Sequence, residues 1–186
     1  MSFDHSVSII TINGKTPTIH PSAFIAPGCR IIGDVSIGAD VSIWYNCVLR
    51  ADVSHIAIGN RSNIQDGSII HCDGPDGLSA DGYPTIIGED VLVGHKAIIH
   101  GSHLHDRAFV GMAASTMNGC VIEGDAMLAA GALLTPGKKV NAKTLWAGAP
   151  ARMVRDLSEE DILGMRAGVA HYVFNGHAHK LAVSGE

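Results

Sequence analysis

Residues 19–49 read IHPSAFIAPGCRIIGDVSIGADVSIWYNCVL. An aliphatic residue returns there every six positions, at Ile19, Ile25, Ile31, Ile37, Ile43 and Leu49. An amphipathic helix repeats at about 3.6 residues and a half-buried strand at about two, so neither accounts for a fixed six. The period extends outward from this stretch. It slips by three after Leu49, resumes at Ile58, Ile64 and Ile70, breaks over CDGPDGLSADGYP (72–84), and returns at Ile87, Val93 and Ile99. One five-residue step then leads to Leu104, Val110, Thr116, Ile122, Leu128, Leu134 and Val140. Two places before each stands a residue that is usually small, such as Ala23, Cys29, Cys47, Ser62, Ser68, Ala97 or Ala108. Each hexapeptide therefore specifies one short strand and a corner. Three of them make one rung of a triangular solenoid whose narrow interior accepts aliphatic and small side chains.

The solenoid is expected over 10–147, and the six-residue period is lost beyond Val140. Gly148 and Pro150 mark a turn away from it. Ser158 followed by Glu159, Glu160 and Asp161 has the pattern of a helix start with a capping box. Ile162, Met165, Val169 and Val173 then line one apolar face. The region 148–180 reads as that turn and a C-terminal helix of about five turns packed on the solenoid.

The chain of 186 residues has a net charge of −5 and no basic patch, which argues against a nucleic-acid partner. No apolar run approaches the ~18 residues that read as a membrane span. The opening MSFDHSVSIITING lacks the pattern of a secretory signal, so the cytoplasm is the expected location. Cys29, Cys47, Cys72 and Cys120 form no CxxC pair and suit a reducing compartment. Cys29, Cys47 and Cys120 occupy small interior positions, where packing explains them. Cys72 adjoins candidate chemistry and stays open.

Stacking the rungs sorts the histidines. Residues three hexapeptide steps apart share a face and lie about 4.8 Å apart. Arg50, His71 and His100 each directly follow an aliphatic position and form one column. His95 and Asp66 each stand two places after theirs and form a second column round the corner, flanked by Gln65. Within one chain His95 cannot reach the other two histidines. If three copies pack about an axis parallel to the solenoid, column one of each meets column two of the next. Three imidazoles and an open position then converge, the pattern of a catalytic zinc site. His5, His20, His55, His103, His105, His177 and His179 read as surface residues.

RAD at 50–52, NIQDGSIIH at 63–71 and GHKAIIHG at 94–101 resemble the gamma-class carbonic anhydrases and their bacterial homologues. The similarity runs from about residue 10 to 173. It implies a left-handed parallel β-helix with a C-terminal α-helix, assembled as a homotrimer, with a metal at each interface ligated by His71, His95 and His100. The implied metal is zinc, with iron or cobalt as substitutes, and the implied reaction is reversible hydration of CO2 to bicarbonate. By the same resemblance Arg50 and Asp52 belong to an Arg-x-Asp element that orders the interface, with Asp66 as a partner of the arginine. Gln65 matches a residue that orients water or substrate, and Tyr172 a C-terminal tyrosine near the metal.

Two features depart from the family pattern. Val53 stands where a glutamate follows the Arg-x-Asp element. The 72–84 segment offers Asp73, Asp76 and Asp81, but no glutamate to carry protons. Nothing in the sequence fixes these aspartates or His103 in place. A metal-bearing structural or assembly trimer with little hydratase activity, and an acyltransferase or thioesterase using the inter-subunit cleft, are the alternatives. Metal content and a hydration assay separate them.

Overall fold

The computed structural model describes residues 6–185, so His5 lies outside the described residues. The chain winds as a left-handed β-helix of short parallel strands on three faces. One face stacks Phe24–Ile25, Ser42–Ile43, Asn63–Ile64, Leu92–Val93, Phe109–Val110, Met127–Leu128 and Thr144–Gly148. The second carries Ile69–His71, Ile98–His100, Ser115–Thr116 and Leu133–Leu134. The third carries Thr85–Ile87, His103–Leu104, Val121–Ile122 and Lys139–Val140. The long strand Val48–Ile58 bends round a corner and joins the second face to the third.

The six-residue period is the core. From Ile31 through Val140 its aliphatic positions are buried, and so are the small residues two places earlier. Burial of each aliphatic side chain contributes about 1.5–3 kcal/mol. Successive rungs supply the backbone hydrogen bonds that a thin interior could not otherwise satisfy. Cys29, Cys47 and Cys120 lie among these interior residues, and their thiols donate to the carbonyls of Trp44, Gln65 and Thr135 at 2.9, 3.1 and 3.2 Å. Most corners turn through a left-handed residue three places after the aliphatic one, as at Asp40, Asn46, Lys96 and Asp125.

The three-residue slip after Leu49 is a corner bulge. Gly33 pairs with Ala51 and Val35 with Ile56, so the segment 52–55 stands opposite Asp34 alone. The interrupted segment 72–84 is likewise a single corner: Asp73 and Tyr83 bridge its base, and Ile58, Ile87 and Leu104 stack across it. Two of its three aspartates, Asp73 and Asp76, are held by hydrogen bonds. Asp73 accepts from Asn118 Nδ2 at 2.7 Å, and Asp76 Oδ1 accepts from the amides of Leu78 and Ser79 at 2.7 and 2.8 Å.

Past the solenoid the structure departs from expectation in two ways. The turn at Gly148 and Pro150 connects Thr144–Gly148 to an antiparallel strand, Ala151–Asp156, which covers the end of the first face. The helix Glu159–Ser184 has 26 residues, about seven turns rather than five. Its start is the expected capping box: Ser158 Oγ accepts from Asp161 N at 3.1 Å and Asp161 Oδ2 accepts from Ser158 N at 2.8 Å. Met165 and Val169 are buried, while Ile162 and Val173 are half-buried. The helix runs back along the first face toward the opening rungs. Gly168 sits against Leu92, Gly176 against Ser42, and Lys180 donates to the carbonyls of Pro21 and Ala23. No helix among the described residues is long and apolar enough to cross a membrane.

Candidate metal centre

The corner bulge at 52–55 positions the first part of the site. It brings Asp52 Oδ2 to 2.5 Å from Arg50 Nη1, and Asp52 Oδ1 to 3.1 Å from His71 Nε2. Burial works to raise the Asp52 carboxyl, but the hydrogen bonds from His71 and Arg50 overcome it and hold the group below the usual carboxylate range. Strand register does the rest: Arg50 pairs with His71 and His71 with His100, the column that the six-residue count predicts. His71 Nδ1 and His100 Nε2 face each other at 2.9 Å, with ring centroids 4.9 Å apart. His100 Nδ1 lies 2.7 Å from Asn118 Oδ1. Asp73 completes the cluster: among the described residues, His71, Asp73 and His100 form the one group whose candidate ligand atoms all lie within 4.8 Å.

The second column stands on the neighbouring corner. Ile64 pairs with Val93, which carries Asp66 beneath His95, and Asp66 Oδ2 is 2.8 Å from His95 Nδ1. Both side chains are 41% exposed. Tyr172 comes from the helix to this corner and meets the Trp44 ring edge-on at 5.4 Å. Its hydroxyl is pushed up by burial and by the Asp66 charge. Gln65 is buried and donates Nε2–H to Asn63 Oδ1 at 3.0 Å.

The donor set fits a metal. Each of the three histidines gives one ring nitrogen to an oxygen partner: His71 to Asp52, His95 to Asp66 and His100 to Asn118. Such partners orient metal-ligating imidazoles and fix their tautomers. Two nitrogens on one tetrahedral zinc stand about 3.3 Å apart, given bonds of about 2.05 Å. The 2.9 Å between His71 Nδ1 and His100 Nε2 is close to that span.

One chain thus brings together Arg50, Asp52, His71 and His100, and holds Asp66, His95 and Tyr172 apart on the next corner with Gln65 beside them. Within the chain Asp66 serves His95, while Arg50 takes Asp52. Cys72 is buried beneath Arg50, its Sγ 3.9 Å from the Arg50 carbonyl, and burial pushes its thiol up, away from the thiolate. Sequence reading missed Asn118. The period held the signal: Cys72, Gly101 and Asn118 each stand two places after Ile70, Ile99 and Thr116, so Asn118 stacks over the residue that follows His100.

A β-helix of six-residue repeats with a histidine pair on one face, one ring backed by a carboxylate and the other by an amide, defines a hexapeptide-repeat protein with a metal-type site. Residues 16–51 match the bacterial transferase hexapeptide family (six repeats). The chain is 40% identical to gamma carbonic anhydrase 1, mitochondrial, of Arabidopsis thaliana over 92% of its own length, and spans 62% of that relative. It is 42% identical to a carbonic anhydrase of Geobacillus kaustophilus, covering 92% of this chain and 91% of the relative. The crystal structure of a hexapeptide transferase family protein from Anaplasma phagocytophilum superposes with a TM-score of 0.86 at 41% identity, covering 92% of this chain and 97% of that one. The chain belongs to the gamma carbonic anhydrase family.

Proposed function

We propose that the protein is a metal-dependent carbonic anhydrase that hydrates CO2 to bicarbonate at the subunit interfaces of a homotrimer. The observation that carries this reading is the division of the three carboxylate- or amide-backed histidines between two faces. His71 and His100 supply two ligands from one chain, and His95 of a neighbouring copy supplies the third. Exposed Ile69, Ile98, Met112, Met117 and Val53 belong to the same faces and corners. Apolar surface of that kind suits burial against another copy.

The metal in this reading is zinc, with iron or cobalt as substitutes, for the imidazole ligand set accepts all three. When bound, zinc supplies the Lewis acidity that brings the ionisation of a water to about pH 7. This chain's residues do the rest. Asp52, Asp66 and Asn118 hold the imidazoles, and Arg50 secures Asp52. Gln65, held by Asn63, orients water or substrate, and Tyr172 borders the second column. Ile69 and Ile98 exclude bulk water. The four buried thiols suit a reducing compartment, and the location in this reading is the cytoplasm.

Val53 and the glutamate-free 72–84 segment favour a second reading, a metal-bearing assembly trimer with slow hydration. Stopped-flow CO2 hydration by zinc-loaded and metal-free protein decides between them. Zinc-dependent turnover lost in His95→Ala supports the enzyme. Stoichiometric zinc without turnover supports the assembly trimer, and failure to bind zinc removes both.

A further inference from the structure

The His71–His100 pair poses a problem of proton placement. Two neutral imidazoles at 2.9 Å ordinarily share an N–H, one donating and the other accepting. A pair joined in that way has no free lone pair in the gap to offer a cation. Which arrangement holds depends on what faces the far nitrogen of each ring.

Beside His100 Nδ1 stands the side-chain amide of Asn118, which can present either its carbonyl oxygen or its NH2. Asp73 decides the matter. Its carboxylate accepts only, and it lies 2.7 Å from Asn118 Nδ2, so the NH2 is drawn to Asp73 and Oδ1 is turned to His100. An accepting oxygen 2.7 Å from Nδ1 requires the ring proton on Nδ1. Neutral His100 then presents a bare Nε2. Across the gap, Asp52 treats His71 in the same way, drawing its proton to Nε2 and leaving Nδ1 bare. Two lone pairs therefore face each other with no proton between them, an arrangement that only a cation satisfies.

The surroundings are shaped for this contact. A Cβ on Gly101 would lie 2.4 Å from Asn118 Oδ1 and 2.7 Å from Tyr83 Cβ, so glycine leaves the space that the amide occupies. Asp73 is anchored by reciprocal backbone bonds with Tyr83 at 3.0 and 2.8 Å. The base of the 72–84 corner is thereby pinned beside the histidines.

We propose that Asn118, oriented by Asp73, is a positioning residue that fixes His100 in the Nδ1–H tautomer and so opens the His71–His100 gap to a metal. Removing Asn118 lets His100 move its proton to Nε2 and donate to His71, which closes the site. The proposal rests on the reading of His71 and His100 as metal ligands, and it is independent of hydration activity.

The test is the His100 tautomer in metal-free protein, read by long-range 15N–1H NMR, together with zinc affinity from competition against a chromophoric chelator. Wild-type protein carries Nδ1–H on His100. Asn118→Ala shifts it to Nε2–H and weakens zinc about 10–100-fold, the usual cost of losing a partner of a ligating histidine. The exchanged pair Asp73→Asn with Asn118→Asp keeps an acceptor toward His100 and a donor toward residue 118. It restores the tautomer and brings affinity back to within a few-fold of wild type, which also guards against a mere folding defect. Zinc affinity unchanged in Asn118→Ala, or Nε2–H in a wild-type protein that binds zinc, overturns the proposal alone. Asp73→Asn weakening zinc far more than Asn118→Ala, with the tautomer unmoved, makes Asp73 a ligand and overturns its orienting role. A wild-type chain with Nδ1–H that binds no zinc overturns the metal reading, and the proposal with it.

Discussion

Asp125→Asn tests how the C-terminal helix is fastened. Asp125 Oδ1 lies 3.0 Å from Arg107 Nε on the solenoid and 3.3 Å from Arg166 Nη2 on the helix. The carboxylate side chain is 9% exposed, while the arginines are 41% and 54% exposed. At an effective dielectric constant near 20, each contact amounts to roughly 5 kcal/mol before desolvation. Screening of the exposed guanidinium groups and the cost of burying the carboxylate reduce the net contribution to about 1–2 kcal/mol. Asp125 has φ +58°, a left-handed conformation that asparagine also adopts readily, so the substitution removes charge without adding backbone strain.

The expected fall in melting temperature at pH 7 is about 3–6 °C for a chain of this size. The pH dependence gives a second signature. Burial raises the Asp125 carboxyl, but hydrogen bonds from Arg107 and Arg166 prevail and its folded pKa lies below the ordinary value. Its contribution is therefore complete above the unfolded value of about 3.9, and is lost as the pH falls through the folded pKa. Melting curves of the two proteins followed by circular dichroism separate at pH 5–8 and converge as the pH drops below about 4. Equal melting temperatures at pH 7, or a gap undiminished in acid, would refute the reasoning.

Three further substitutions probe other parts of the account. Ser158→Ala removes the side-chain half of the capping box, leaves the residue-158 amide donating to Asp161, and costs about 1 kcal/mol in denaturant unfolding; a change within error means that the helix start is held by packing instead. Ile99→Ala empties a fully buried site between Ile70 and Thr116, where ladders above and below resist collapse, so the cost lies in the upper half of the usual range, about 4 kcal/mol. A cost under about 1 kcal/mol contradicts the packed interior. Gly101→Ala places a Cβ against Asn118 and Tyr83 at φ +54°. Zinc affinity falls at least about tenfold as the His100 partner is displaced, and chelator competition detects it.

The rungs were legible because two side chains in six, one aliphatic and one small, have nowhere to go but inward. That constraint gave the face and register of His71, His95 and His100 from counting alone, and it survived both the slip at 52–55 and the 72–84 corner. The remainder was hidden for identifiable reasons. Ala151–Asp156 is an exposed strand with no periodic burial beyond Ala151, so it left no pattern. The helix docks through Gly168 and Gly176 as much as through apolar residues, while Leu163, Phe174 and Leu181 are exposed, so its length was underread. The role of Asp73 was hidden because its side-chain partner, Asn118, lies 45 positions away. An amide at a corner carries no signal until something polar is known to stand beneath it.

The central claim is that His95 acts on a neighbouring copy's His71 and His100. Mixing His95→Ala protein with His71→Ala protein under conditions that exchange subunits tests it directly. Neither variant alone assembles a complete three-histidine site. In a cyclic trimer each mixed assembly restores one interface of three, so an equimolar random mixture regains about one quarter of wild-type tightly bound zinc and hydration activity. Recovery at that level establishes the shared site. No recovery, in mixtures shown by mass spectrometry to contain both chains, contradicts it.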